Sequence, residues 1–151
     1  MPGANPDFAG REYPPGSPLE VSAVKIREFA EATQSPHPFH MDAEAARAAG
    51  YAGVVAPPTF LVALAQREEA RYINDPEARV DFSRVVHSEE SFALTRPIVA
   101  GDVLTPRLTV ESIKGLGPHS LVTTRVDFAD ETATHVATVR SSLVIRGEDA
   151  S

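Results

Sequence analysis

Thr33-Gln34-Ser35-Pro36-His37-Pro38-Phe39-His40 leads through an Ala-rich segment into Gly50-Tyr51-Ala52-Gly53-Val54-Val55-Ala56-Pro57-Pro58-Thr59-Phe60, and the reading of these residues decides the fold. Proline removes a backbone donor and restricts the residue before it. Pro36 and Pro38 therefore predict a rigid turn, with His40 at its end, where a side chain can be aimed at a bound molecule. Asp42 is a natural cap for a short helix from Ala43 to Ala49, and Gly50 suits its left-handed stop. Pro57-Pro58 fits the first turn of the next helix, expected from Thr59 to Tyr72. That helix opens on Phe60-Leu61-Val62-Ala63-Leu64-Ala65, apolar all round, which predicts a fully buried half before it turns polar at Gln66-Arg67-Glu68-Glu69.

Upstream, residues 1–18 hold Pro2, Pro6, Pro14, Pro15 and Pro18 with three glycines, a composition that excludes a helix or a central strand. They read as an extended arm lying on the domain, with Phe8 and Tyr13 as anchors. Ser22 caps a helix carrying Val24, Ile26, Phe29 and Ala30 along one side. Downstream the pattern changes to β. Ser83 to Thr95 reads as a strand, and Arg96-Pro97 with Ala100-Gly101-Asp102 breaks it. Val103 to Ile113, Leu121 to Phe128 and Thr134 to Ile145 follow, with turns at Gly115 to Pro118 and at Asp130-Glu131. Helices first and then a meander of long strands imply an α+β domain, one antiparallel sheet wrapped round one buried helix. The domain spans 19–147, with 148–151 as a tail.

A chain of 151 residues is one domain with one core. Its 42% hydrophobic and 23% charged residues are those of an ordinary globular protein. A net charge of -7 argues against nucleic acid and anionic membrane as partners. With no cysteine, disulfides, thiolate catalysis and thiolate-bound zinc are excluded. The start, Met1-Pro2-Gly3-Ala4-Asn5, lacks the basic and apolar segments of a signal peptide, and no apolar run is long enough for a bilayer. A cytoplasmic location is expected. His37 and His40 have no evident third ligand, so neither a metal nor any other cofactor is expected.

Four stretches, taken together and in order, carry a resemblance: Lys25-Ile26-Arg27-Glu28-Phe29-Ala30, the turn ending at His40, Gly50-Tyr51 through Ala56-Pro57-Pro58-Thr59-Phe60, and Arg96-Pro97-Ile98-Val99-Ala100-Gly101-Asp102-Val103-Leu104. The chain is similar to the MaoC-like hot-dog (R)-specific hydratases and dehydratases. The resemblance is to the dehydratase N-terminal type, which includes HadA- and HadC-like subunits of (3R)-hydroxyacyl-ACP dehydratase. It covers about residues 8–146. It implies a central helix wrapped by an antiparallel sheet, and two such units pairing into one larger sheet. It further implies a thioester substrate, acyl-ACP or acyl-CoA, with the acyl chain in a tunnel beside the central helix. The family's active signature is Gly-Asp-x-Asn-Pro-x-His. On this sequence His40 takes the His position, Pro38 the Pro, His37 the Asn, Ser35 the Asp and Gln34 the Gly. The family's oxyanion donor is the N–H of a Gly in a His-Gly pair, and here the pair reads Pro57-Pro58.

Dehydration of a 3-hydroxyacyl thioester takes a proton from C2 and expels hydroxide from C3. A positioned acid and base contribute about 10²–10⁴-fold to such transfers. Ser35 does not ionise near neutral pH and is no substitute for a carboxylate. An aimed N–H at the thioester oxygen is worth roughly 10²–10³-fold, and Pro58 has none. The resulting expectation is a dehydratase subunit that shapes the substrate site through Pro57, Pro58, Thr59 and Phe60. A paired hot-dog chain would bring the Asp/His dyad, and His40 would assist as acid/base; the plainer reading of His40 is a structural His hydrogen-bonded to a backbone carbonyl. Three alternatives stand beside it: a self-sufficient homodimeric hydratase using His40, a thioesterase using Glu68 or Glu69 as base, and a non-catalytic acyl-binding module. Arg67, Arg71 and Arg96 are candidates for a CoA or phosphopantetheine phosphate, with a solvated surface role as the plainer reading. Asp42 reads as a cap and Asp102 as a turn residue.

Overall fold

The computed structural model describes residues 3–148; the ends of the arm and of the tail, 1–2 and 149–151, lie outside them. Five strands form one antiparallel sheet: β1 (Leu19–Glu20), β2 (Val85–Leu94), β3 (Val103–Leu116), β4 (His119–Ala129) and β5 (His135–Ile145), in the spatial order β1-β3-β4-β5-β2. Four helices precede the long strands: α1 (Ala23–Ala32), α2 (Pro38–Met41), α3 (Ala43–Ala48) and the central α4 (Val62–Ile73). The sheet bends round α4, helped by register irregularities at Val110/Ser112, His87/Glu89 and Phe128/Ala129, since each extra residue increases local twist. This is the hot-dog architecture.

Alternation in the strands selects what faces α4. Val122, Thr124, Val126 and Phe128 of β4 are buried, and the residues between them are half-exposed. With Leu108, Val110, Val139 and Leu143 of the neighbouring strands, the apolar members pack against Leu61, Leu64, Ala65 and Tyr72 in one core cluster. Each such fully buried side chain stabilises the fold by about 1.5–3 kcal/mol.

Several elements differ from the sequence reading. The central helix begins at Val62, because Pro58–Leu61 is a separate turn closed by Phe60 N–H donating to the Pro57 carbonyl at 2.9 Å. Its first turns are not buried all round, since Ala63 is exposed while Glu68 and Glu69 are buried. In α1, Ile26 and Ala30 are buried but Val24 is 65% exposed: 24 lies off the stripe that spacings of three and four residues define. Part of the rigid turn expected at Pro36 and Pro38 is a short helix, α2, which Pro38 opens as its first residue. Ser83 and Arg84, the first residues of the strand expected from Ser83 to Thr95, belong instead to a 3₁₀ turn, Phe82–Arg84, before β2.

The arm is extended except for a 3₁₀ turn at Pro6–Phe8, which Asn5 caps. It runs along the outer edge of β3. Gly10 N–H donates to Val110, Tyr13 N–H to Leu108 and Gly16 N–H to Pro106. Pro106 is tolerated in a long strand because its absent N–H faces this arm rather than a ladder. Phe8 is 1% exposed and its ring lies 6.0 Å from that of Tyr72, so both expected anchors touch the domain. Gly16 has a steric reason, since a Cβ there would run into the Glu68 carboxylate.

Candidate active site

The turn after α1 explains the first part of the signature. Gln34 has φ +55°, and Ser35 N–H reaches back to the Ala30 carbonyl at 2.8 Å, the hydrogen bond of a left-handed helix stop. Glycine suits that backbone, which is why the resembling motif has Gly where this chain has Gln34; the non-glycine residue costs about 1 kcal/mol. His37 then caps α2, its Nδ1 accepting from Phe39 N–H at 3.2 Å. A ring nitrogen here does what an Asn side-chain oxygen commonly does at a helix start.

His40, in the last turn of α2, is half-buried, and its Nδ1 lies 2.6 Å from the Val55 carbonyl. A carbonyl only accepts, so Nδ1 carries the proton, and Nε2 has no hydrogen-bond partner among the described residues. Val55 is itself fixed. Its N–H donates to the Phe39 carbonyl at 2.8 Å, and it bridges Val99. Ala56 N–H to Ile98 and Ala100 N–H to Val54 complete the tie. The Gly50–Phe60 and Arg96–Leu104 stretches therefore belong together because they form one short antiparallel contact that holds His40.

Ser35 is half-buried, and no hydrogen bond joins it to His40 among the described residues. Pro57 is buried and Pro58 exposed, without an N–H. Thr59 is exposed, and its N–H has no acceptor among the described residues. Phe60 is 4% exposed and packs edge-on to Phe29 with centroids 5.6 Å apart. The arrangement supplies one imidazole with a free nitrogen, no carboxylate hydrogen-bonded to it, and no donor at 58. No third His, Cys, Asp or Glu joins His37 and His40 in a metal-holding group among the described residues.

Two of the arginines named for phosphate binding are committed. Arg96 grips Asp102 with two bonds, 2.8 and 3.1 Å, while Asp102 accepts from Val99 N–H at 2.9 Å, so Asp102 braces the His40 support rather than only turning the chain. Arg71 donates to the Pro14 carbonyl at 2.8 Å and pairs with Glu68 at 2.9 Å. Arg67 is exposed.

A second polar group lies at the other end of α4. Glu69, 2% exposed, accepts from the Thr124 hydroxyl at 2.7 Å and meets His87 Nε2 at 3.3 Å. Ser141 donates to Glu90 at 2.8 Å, and burial pushes the Glu90 carboxyl above the ordinary range, with Glu69 adding to the rise. Glu69 and His87 border a groove of about 340 Å³ with Gln66, Ala70, Ile73 and Phe82. Glu68, by contrast, is closed under the arm at Gly16. The irregular register between His87 and Glu89 puts His87 and Glu90 on the same face. Simple alternation would not predict this, and it hid the group in the sequence.

A sequence profile of the FAS1-like, dehydratase domain region family matches residues 7–139. The chain belongs to that family. A UPF0336 protein of Leifsonia xyli is 48% identical over 145 residues, 96% of this chain and 97% of that one. Among solved structures, the C-terminally truncated HadBC (3R-hydroxyacyl-ACP dehydratase) complex of Mycobacterium tuberculosis aligns with a TM-score of 0.81 at 28% identity, over 91% of this chain and 97% of that one. A MaoC-like dehydratase aligns at 0.86 and 35% identity, over 94% of this chain but 43% of its own length. The dehydratase family and the MaoC-like hot-dog fold are thus shown for this chain. Among the described residues no helix is long and apolar enough to cross a membrane.

Proposed function

We propose that this chain is one half of a two-chain (3R)-3-hydroxyacyl-thioester dehydratase, acting on acyl-ACP or acyl-CoA in fatty-acid or polyketide metabolism. A second hot-dog chain supplies the Asp/His dyad and the oxyanion donor. This chain completes the sheet and shapes the acyl site through Pro57, Pro58, Thr59 and Phe60. One observation carries the reading: His40 is locked through Nδ1 onto Val55 in an intact family frame, with Ser35 in place of the carboxylate and Pro58 in place of the donor. The similarity to the HadBC complex, a dehydratase of more than one chain, supports it.

In the reaction the partner's base takes the C2 proton, the C3–O bond breaks with protonation of the departing hydroxyl, and enoyl thioester and water leave. In this reading His40 assists through Nε2, which has no hydrogen-bond partner among the described residues. Co-expression with a MaoC-like chain of the same genome that carries Gly-Asp-x-Asn-Pro-x-His tests the reading. The expected result is a stable complex that hydrates a trans-2-enoyl thioester far faster than this chain alone. The free Nε2 also favours a second reading, a homodimeric hydratase using His40 alone. That reading requires Ser35→Asp to raise the activity of the isolated chain sharply.

A further inference from the structure

The two edges of the sheet are unlike. The β3 edge is covered by the arm and β1, with a further bridge between Glu12 and Thr109. On the other side β2 pairs with β5 and has no second neighbour among the described residues. Val86 is 47% exposed and Leu94 36%, and Phe82 just before the strand is 67% exposed. A long open edge is a template for another strand.

The register of β2 defines what such a strand meets. Nine residues of β2 pair with β5, from Val85 opposite Ile145 to Leu94 opposite Ala137, with Ser88 as the extra one. The middle pair of the nine is Glu90 opposite Ser141. Glu90 lies on the helix-facing side, as do His87 and Phe92, whose partners Leu143 and Val139 are buried. An inward-pointing charge in the centre of an edge strand is a known device against edge-to-edge pairing.

Two-fold pairing of β2 with its own copy has few registers. A one-residue slip would turn Glu90 and Phe92 to opposite faces of the two copies. Full overlap sets Glu90 directly against Glu90 of the second copy, about 4.5–5.5 Å between Cβ atoms. The buried Glu69 carboxylates then stand behind both. The two neighbouring allowed registers each lose two of the nine pairs: one sets Glu89 against itself, and the other sets Ser91 against itself and the Glu90 carboxylate against the Phe92 ring. Burial already drives the Glu90 carboxyl toward its neutral form, and a second carboxyl opposite adds to that cost.

We infer that Glu90 is a partner-selecting residue: it disfavours self-pairing along β2 and selects a different hot-dog chain whose opposing strand offers a cationic or amide side chain at that position. This rests on the two-chain reading above and names the feature that disfavours the homodimer of full strand overlap. The test uses the full chain alone, by analytical ultracentrifugation at neutral pH, with Glu90→Gln and Glu89→Gln. Glutamine keeps the size of the side chain and still accepts from Ser141. Wild type is expected to stay monomeric at low micromolar concentration. Glu90→Gln should self-associate at least about tenfold more tightly, and Glu89→Gln, on the outer face, less than about threefold. Equal behaviour of the two variants, or no gain with Glu90→Gln, overturns the inference. Activity of the co-expressed pair judges the two-chain reading separately, so each fails on its own evidence.

Discussion

The two ends of the central helix differ in what they display and in what they can do. Its N-terminal end, from Ser35 through His40 to Phe60, carries the positions of the family's active signature, yet its hydrogen-bonded chemistry is one imidazole bonded to a carbonyl. Its C-terminal end reads as an ordinary polar helix tail, yet Glu69, His87 and Glu90 converge there with Thr124 and Ser141. Signature and ionisable chemistry have separated. The frame does local backbone work of its own, with Gln34 in the left-handed position and His37 as a cap.

Stability measurements sharpen this contrast. Glu69→Ala, by leaving a cavity and freeing Thr124 and His87 of their partner, should cost about 2–4 kcal/mol in chemical denaturation, while Glu69→Gln costs under about 1. A loss equal in both would mean that the carboxylate itself, rather than a filled and hydrogen-bonded position, holds the strand to the helix. At the opposite end His40→Ala should cost about 1 kcal/mol, the value of one hydrogen bond to Val55. If it destabilised as much as Glu69→Ala, the two ends would not differ as described. Smallest, and of opposite sign, Gln34→Gly should stabilise by about 0.5–1 kcal/mol, by relieving the φ of +55°. A neutral or negative effect would show that Gln34 earns its place through contacts.

The legible parts of the sequence were those with a local cause. Ser22 and Asp42 are caps that accept from Lys25 and Glu44 N–H, and Gly50 has φ +100° where a left-handed stop was expected. The helix-wrapping sheet followed from the order of elements, helices first and then a meander of long strands. What was not legible depends on contacts between distant segments. The support of His40 comes from Val55, which is held by the stretch around Val99, and nothing local in either announces the other. Burial of Glu68 and Glu69 depends on the arm and on β4, which the polar run Gln66-Arg67-Glu68-Glu69 does not announce. The register irregularity at Ser88 hid the shared face of His87 and Glu90.

The central claim is that the frame around His40 no longer catalyses by itself. The most direct measurement is the hydration rate of a trans-2-enoyl thioester by the purified chain, alone and mixed with the dyad-bearing partner. The prediction is a rate near background for the chain alone and full activity on mixing, reduced less than about tenfold when this chain carries His40→Ala. A normal enzymatic rate for the isolated chain, abolished by His40→Ala, would contradict the account.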